Sequence, residues 1–201
     1  MANAWPPILD PDRPHAGRIL SLEAWLALDE DVEGEFVAGH LVEEEVPDAV
    51  HELTVSWLIA VLRGWLGQSG FVFGSELKIL TARDTGRKPD LTVFLAGRTA
   101  PPRRGPVTEP PDIIAEIVTP SPRDERRDRV EKMAEYARFG VHYYWLVDPA
   151  LGSFEIFERN EAGYYQKLVG ITSGRVDPVP GCAGLVLDID ALWVELARLS
   201  E

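Results

Sequence analysis

The chain has 201 residues, 45% of them hydrophobic, and a formal net charge of −13 at pH 7. It is long enough for one domain with a full hydrophobic core, and this composition excludes an intrinsically disordered protein. The negative charge argues against a protein that grips nucleic acid through a broad basic face, so any such contact must use a local patch or a metal ion. The single cysteine, Cys182, excludes an internal disulfide and predicts a reducing, cytoplasmic location.

The N-terminal segment differs in composition from the rest of the chain. Residues 1–18 are rich in proline and poor in apolar side chains, which predicts a flexible tail before a single domain over residues 19–201. The first residues lack the basic start and the apolar core of a signal peptide. No apolar run in the chain is long enough to cross a bilayer, so no contact with a membrane is expected.

The first third of the domain predicts a short helix, a hairpin and a long helix. Ser21 is a suitable N-cap for a helix over residues 21–28, and Gly39 is a suitable turn residue for a hairpin over residues 35–43. The long helix is predicted over residues 50–66. Its apolar residues recur at helical spacing and predict its buried face, which consists of Leu53, Trp57, Ala60, Val61 and Trp65.

The middle of the chain predicts two apolar strands separated by a long loop. The first strand begins at Asp90 and covers residues 90–95, whereas the second lies within residues 111–121 and contains Glu116. The loop, residues 100–111, is rich in proline, arginine and glycine. Loops of this length inside a domain are often functional or disordered.

A helix is predicted to follow the second strand. Ser121 is a suitable N-cap and Gly140 a suitable C-terminal stop, so this helix covers residues 121–139. Its predicted buried stripe consists of Val130, Met133, Ala134 and Ala137. Further strands are predicted over residues 141–147, 153–159 and 163–169, and a last helix over residues 189–199. This order predicts a mixed α/β (α+β) fold with a central sheet flanked by helices.

Asp90 and Glu116 are the first candidates for chemistry. A lone carboxylate in an apolar strand costs several kcal/mol unless it is paired, so Glu116 requires a partner. Two carboxylates on neighbouring strands are typical ligands of a hard divalent cation such as Mg²⁺, or Mn²⁺. The alternative is that Asp90 is an exposed residue at the start of its strand and that Glu116 forms an ion pair with an arginine.

Glu35 and His51 are the next candidates. Glu35 flanks the predicted hairpin, and His51 lies at the start of the long helix. Histidine can carry protons near neutral pH or bind a metal. The alternative for His51 is a solvated residue of the first helical turn. The other three histidines show no metal-binding spacing with it, which argues against a zinc site.

Lys132 is a candidate for stabilising negative charge. On a helical wheel it lies about 150° from the centre of the predicted apolar stripe, so it faces solvent or a cleft. Asp128, Lys132 and Tyr136 recur at every fourth position and share one ridge of the helix. A surface salt bridge between Asp128 and Lys132 is the simplest alternative. Signatures of phosphate-binding loops, serine esterases and zinc enzymes are absent from the sequence.

The combined pattern resembles a large bacterial family of restriction-type endonucleases that was long labelled a domain of unknown function. The resemblance covers about residues 20–195. The combination is specific, whereas any one part of it is weak. The matching positions are residues 35–39, His51, residues 89–90, residues 111–121, Arg123, Asp128, Lys132, Tyr136 and residues 140–149.

The resemblance implies a PD-(D/E)xK nuclease-like fold with a metal-binding edge. Asp90 then belongs to the PD element, and Glu116 is the second acid. Val118 occupies the position at which the general motif has its lysine. In the family a lysine on the following helix is thought to substitute, and Lys132 occupies that position. Glu35 and His51 would complete the site, with Tyr136 as a further contributor.

The resemblance therefore implies a magnesium-dependent endonuclease that cuts DNA, with Asp90 and Glu116 as metal ligands. A homodimer is a further expectation, because nuclease-like folds often pair to cut two strands. Two alternatives remain open at this point. The displaced lysine and the negative charge favour a non-catalytic nuclease-fold protein that binds DNA or a protein partner. A structural protein in which Glu116 is only salt-bridged is the other alternative.

Overall fold

The structure is a computed structural model that describes residues 17–28, 34–42, 47–120 and 126–200. Its helices are α1 (Leu22–Leu26), α2 (Ala49–Leu66), α3 (Met133–Phe139), which a π-helical segment (Arg127–Lys132) precedes directly, and α4 (Ile189–Leu196). Its strands are β1 (Glu35–Val37), β2 (His40–Val42), β3 (Phe71–Phe73), β4 (Ile79–Ala82), β5 (Thr85–Arg87), β6 (Leu91–Phe94), β7 (Ile113–Ile117), β8 (Tyr143–Asp148), β9 (Ser153–Arg159), β10 (Tyr165–Ile171), β11 (Arg175–Val176) and β12 (Leu187–Asp188). Within these ranges, no helix has the length and apolarity needed to span a membrane.

Six strands form the central sheet, in the order β10-β9-β8-β7-β6-β3. β7 and β8 run parallel, whereas all the other neighbours in this sheet are antiparallel. A parallel pair requires a crossover connection, and here the π-helical segment and α3 lie in that crossover. The predicted mixed sheet flanked by helices is confirmed.

A second sheet, in the order β2-β1-β5-β4, packs on its own apolar cluster of Trp25, Phe36 and Leu41. The turn between β1 and β2 has positive φ at both Ala38 and Gly39, as two-residue hairpin turns require. The predicted hairpin is therefore confirmed. β11 and β12 form a separate two-stranded pair.

β7 lies between two apolar cores because successive side chains of a strand point to opposite faces of its sheet. Ile113, Ala115 and Ile117 contribute to the core that α2 and α4 cover. Ile114 belongs to the second core, on the side of α3. By the same alternation, Glu116 points to the α3 side, so the crossover helix is the element placed to supply its partner.

The predicted buried face of α2 is wrong, because the observed buried face is displaced from it by about one residue along the helix. The most buried side chains are His51, Thr54, Val55, Leu58, Leu62 and Leu66. The residues of the predicted stripe lie beside this face, where Trp65 donates a hydrogen bond from Nε1 to the Ala183 carbonyl at 3.1 Å. The helix carries apolar residues on two neighbouring ridges, and its innermost ridge begins with polar residues that apolar periodicity cannot identify.

The predicted buried stripe of the crossover helix is also wrong. Val130 is 58% exposed and Ala134 is exposed, whereas the ridge of Asp128, Lys132 and Tyr136 is buried. The helix turns this polar ridge inward because its inner side faces charged groups. Ala137 is buried and Met133 half-buried, so that part of the stripe is confirmed.

The predicted N-cap Ser21 and the predicted stop Gly140 are confirmed, whereas the first and last helices end earlier than predicted, at Leu26 and Leu196. The Ser21 hydroxyl oxygen accepts a hydrogen bond from the Ala24 amide at 3.1 Å. Gly140 ends α3 with a φ of +107°, which only glycine adopts readily. The predicted N-cap Ser121 and residues 1–16 of the predicted tail lie outside the described residues. The final two residues of that tail, Gly17 and Arg18, pair with the backbone of Leu41.

Candidate active site

Glu116 lies at the centre of a buried polar cluster. Its side chain is 1% exposed. One carboxylate oxygen accepts a hydrogen bond from the Tyr136 hydroxyl at 2.7 Å, and the other accepts one from the Lys132 ammonium at 3.1 Å. The predicted need for a partner is thus met by Lys132. Within the described part of the chain, the cation that contacts Glu116 is this lysine and not an arginine.

Asp90 lies next to Glu116 because of the register between β6 and β7. These strands are antiparallel with Leu91 opposite Ala115, so the residue before Leu91 reaches the end of β7. Oδ2 of Asp90 accepts a hydrogen bond from the Ile117 amide at 2.7 Å. The Asp90 side chain is 17% exposed, which rules out the alternative of an exposed strand-start residue.

From the crossover helix, Lys132 reaches three carboxylates of the described residues. Its Nζ lies 3.1 Å from Glu116 Oε2, 3.5 Å from Asp128 Oδ1 and 3.6 Å from Glu35 Oε1. The lysine side chain is 3% exposed. The interpretation of Asp128 and Lys132 as a surface salt bridge is therefore wrong, and the ammonium lies inside the cluster.

His51 joins the cluster from the first turn of α2. Its Nε2 lies 3.2 Å from Asp90 Oδ1, and the Asp48 side chain caps the helix by accepting from the His51 amide at 2.8 Å. The other ring nitrogen, Nδ1, is buried and has no hydrogen-bond partner among the described residues, although Glu52 lies 3.4 Å away. His51 is buried, so the alternative of a solvated residue is wrong.

Glu35 is fully buried behind Lys132. Its carboxylate accepts hydrogen bonds from Arg87 Nη1 at 2.7 Å and from the Lys88 amide at 3.1 Å. Arg87 also donates to both carboxylate oxygens of Glu135 on α3. Arg87 thus ties the small sheet to the crossover helix and fixes the carboxylate that faces Lys132.

The cluster opens into a cavity of about 110 Å³, which is room for several water molecules. Four of the six sequence-predicted site residues line it: Asp90, Glu116, Lys132 and His51. The other two, Glu35 and Tyr136, contact Lys132 and Glu116 from behind. The structure therefore brings all six residues together.

Sequence reasoning gave no site role to Arg87 or Asp128. Arg127 and Asp128 are buried and line the cavity, and Arg87 holds Glu35. One signal was available for Arg87: it precedes Lys88-Pro89-Asp90 by one position, and Glu35 needed a cation once it was placed in a buried strand. The pairing itself joins residues 52 positions apart, which no local pattern encodes.

Burial and neighbouring charges shift the pKa values of the cluster in opposite directions. Burial raises the pKa of Glu116 well above its usual range, and Asp90, Asp128 and Glu35 raise it further against the effect of Lys132. Burial also raises the pKa of Glu35, but Lys132 and Arg87 outweigh it and lower that pKa to about 2. For Asp90, the hydrogen bond and charge of His51 outweigh burial and lower the pKa.

The site fits a divalent cation that keeps part of its water shell. Within the described ranges, no three His, Cys, Asp or Glu side chains are arranged to hold a metal ion by themselves. Mg²⁺ in phosphoryl-transfer sites usually needs only one or two protein carboxylates, with waters and substrate phosphates as its other ligands. Asp90 and Glu116 supply two carboxylates at one cavity. Nearby positive charge would also relieve the repulsion that raises the pKa of Glu116.

Comparison with solved structures identifies a chain of similar fold. The fold is similar to that of the crystal structure described as "a putative nuclease belonging to DUF820" from Anabaena variabilis ATCC 29413. The TM-score is 0.69 at 22% sequence identity, covering 88% of this chain and 99% of that chain. None of the curated proteins compared matches the chain.

The family assignment follows from the sequence match. The model of the Uma2 family, described as "Putative restriction endonuclease", matches residues 20–190. The chain therefore belongs to that family. The family resemblance and the nuclease-like fold expected from the sequence are confirmed.

Proposed function

We propose that this protein is a metal-dependent endonuclease that hydrolyses phosphodiester bonds of DNA. The observation that carries the proposal is the 3.1 Å contact between Lys132 Nζ and Glu116. It supplies a lysine beside the second acid even though Val118 stands where the PD-(D/E)xK motif has one. Family membership and the nuclease-like fold support the same function.

Asp90 and Glu116 would hold Mg²⁺, or Mn²⁺, in this cavity. When bound, the ion would supply Lewis acidity toward the scissile phosphate and toward the attacking water. The proton on Glu116 that its raised pKa favours would be displaced on binding, because a metal ligand must be deprotonated. His51 and Tyr136 hold the two carboxylates in place through their contacts at 3.2 and 2.7 Å.

Lys132 would stabilise the negative charge that develops on the phosphate and orient the attacking water. Fixed charged donors are effective in such a role because they need no reorganisation during the reaction. Glu35 and Asp128 also contact the ammonium, at 3.6 and 3.5 Å. Lys88 and Arg127 also line the cavity and add positive charge where a phosphate would enter.

Cleavage of supercoiled plasmid DNA with millimolar Mg²⁺ tests the proposal. We expect the Asp90→Asn variant to lose at least about 100-fold in rate, the scale on which removal of a single charge-stabilising group acts. Asp84→Asn is the matched control, because Asp84 is exposed in the turn between β4 and β5. Undiminished cleavage by Asp90→Asn would refute the proposed role of the site.

One observation favours a second candidate, a non-catalytic nuclease-fold protein that binds DNA or a protein partner. Lys132 and Tyr136 already satisfy both oxygens of Glu116 without a metal. The same cleavage assay separates the two candidates. If the wild-type protein leaves plasmid intact with Mg²⁺ and with Mn²⁺ but still binds it, the non-catalytic function is the correct one.

We further propose that the enzyme acts on cytoplasmic DNA as a homodimer. The lone, buried Cys182 suits a reducing compartment. Two copies of one active site would cut both strands of a duplex. Light scattering of the purified protein tests the dimer, and the mass of a single chain would contradict it.

A further inference from the structure

A second and larger depression lies next to the candidate active site. It has a volume of about 750 Å³ and lies between β3, the segment leading to β4, and the loop that precedes Val107. Glu76 lines both this groove and the active-site cavity, so the two lie side by side. We infer that this groove, here called the Phe71 groove, binds an unpaired DNA strand that leads away from the active site. The inference depends on the proposed function.

The aromatic side of the groove consists of Phe71 and Phe73. They lie two residues apart on the edge strand of the central sheet, and their rings are stacked at 6.2 Å with 15° between the planes. Phe73 is anchored edge-on against the buried Phe94, whereas Phe71 is 41% exposed. Phe71 therefore presents its ring to whatever occupies the groove.

The opposite side of the groove carries positive charge. Arg103 and Arg104 line it, and neither forms an ion pair or hydrogen bond with another residue in the described ranges. The 18 residues 91–108 contain three arginines and no acid, in a chain whose net charge is −13. The one acid of the lining, Glu76, is offset by Lys88 Nζ at 3.0 Å.

This combination matches a single strand better than a duplex. Proteins that bind unpaired strands combine a positive groove for the backbone with aromatic rings on which bases stack. In a duplex the faces of the bases are already stacked and cannot reach Phe71. The net charge of −13 also argues against the broad basic face that duplex binding normally uses.

Fluorescence anisotropy in EDTA tests the inference without requiring cleavage. The probes are a labelled DNA strand of about 16 nucleotides, the upper site size of a single-strand-binding module, and the blunt duplex of the same sequence. We expect the single strand to bind at least about tenfold more tightly than the duplex. Equal affinities, or tighter binding of the duplex, would overturn the inference.

Two groove variants and two matched controls locate the binding. We expect Phe71→Leu to weaken binding of the strand by about tenfold or more through the loss of stacking. Arg103→Ala/Arg104→Ala should lower the slope of log affinity against log salt by about 1.4. The controls are Tyr164→Leu, which removes an exposed aromatic ring elsewhere, and Arg175→Ala/Arg198→Ala, which removes two exposed arginines outside the groove.

The outcomes separate this inference from the proposed function. Unchanged strand binding by both groove variants would overturn the inference, even if Asp90→Asn abolishes cleavage. Weakened binding by the groove variants, with both controls at wild-type affinity, would support the groove even if no cleavage is detected. An equal loss in the controls would show a non-specific charge effect and would also overturn it.

Discussion

At the scale of single residues, Lys132 and Glu116 influence each other's ionisation state. Glu116 is buried next to three other carboxylates that raise its pKa, and Lys132 is the cation that opposes them. Among the described residues, Lys132 in turn lies within 3.6 Å of three carboxylates. Removing Lys132 takes this cation away from a buried group of carboxylates, and breaking a buried ion pair in this way costs about 3–5 kcal/mol.

We expect Lys132→Met to destabilise the protein by several kcal/mol and to abolish cleavage. Adding Glu116→Gln should restore part of the lost stability, because it removes the carboxylate left without a cation. Urea unfolding of the wild type, both single variants and the double variant measures this coupling. Strictly additive effects would show that the two side chains do not interact as described.

Glu35 makes the stability of the protein depend on pH. Its pKa is about 2 in the folded protein and near 4.5 when unperturbed. A lowered pKa means that the unfolded state binds the proton more readily, so this stabilisation is complete above about pH 4.5 and is lost as the pH falls toward 2. The shift corresponds to about 3 kcal/mol.

The measurement for Glu35 is the change in unfolding free energy between pH 5 and pH 3. We expect Glu35→Gln to be less stable than the wild type but to lose less stability over this interval. Glu161→Gln is the control, because Glu161 is exposed at the tip of the β9–β10 hairpin. If Glu35→Gln lost as much unfolding free energy between pH 5 and pH 3 as the wild type, the lowered pKa of Glu35 would be contradicted.

At the scale of elements, the small sheet acts as a support for the site. It contributes Glu35 from β1 and Arg87 from β5, and Arg87 reaches Glu135 on α3. The sheet packs on Trp25, whose indole lies over Gly86 of β5. A Cβ at Gly86 would approach Trp25 to 2.5 Å. The absence of a side chain at Gly86 is therefore what allows this packing.

We expect Gly86→Ala to destabilise the protein by about 1–3 kcal/mol through overpacking. Cleavage should also fall, because β5 carries Arg87. Gly64→Ala is the matched control: Gly64 lies within α2 with no atom within 4 Å of an added Cβ, so this change should stabilise by about 0.5–1 kcal/mol. Thermal unfolding measures both, and a neutral Gly86→Ala would contradict the packing described.

The elements themselves were largely predictable from the sequence, but their inward faces were not. The N-cap at Ser21, the turn at Gly39 and the helix end at Gly140 depend on the residue type at a single position, so they can be predicted from the sequence. The crossover helix turns Lys132 inward and Val130 outward, against its apolar pattern. Apolar periodicity fails there because buried charges at a site reverse the usual rule that polar residues face water.

At the scale of the whole molecule, the site is built from three parts of the fold. The central sheet carries Asp90 and Glu116, the small sheet carries Glu35, and the crossover carries Lys132. Asp90 and Glu116 were predictable because each stands out within an apolar strand. The contact of Lys132 with Glu116 was implied only by family resemblance, because it depends on tertiary packing across the crossover. Arg87 was missed for the same reason.

Anomalous diffraction from crystals soaked in Mn²⁺ tests the central claim most directly. The claim is that Asp90 and Glu116 hold a divalent ion beside Lys132. We expect an anomalous peak within coordination distance of one oxygen of each carboxylate, and no such peak in Asp90→Asn crystals soaked in the same way. A wild-type site without a peak, or a peak that persists unchanged in Asp90→Asn, would contradict the claim.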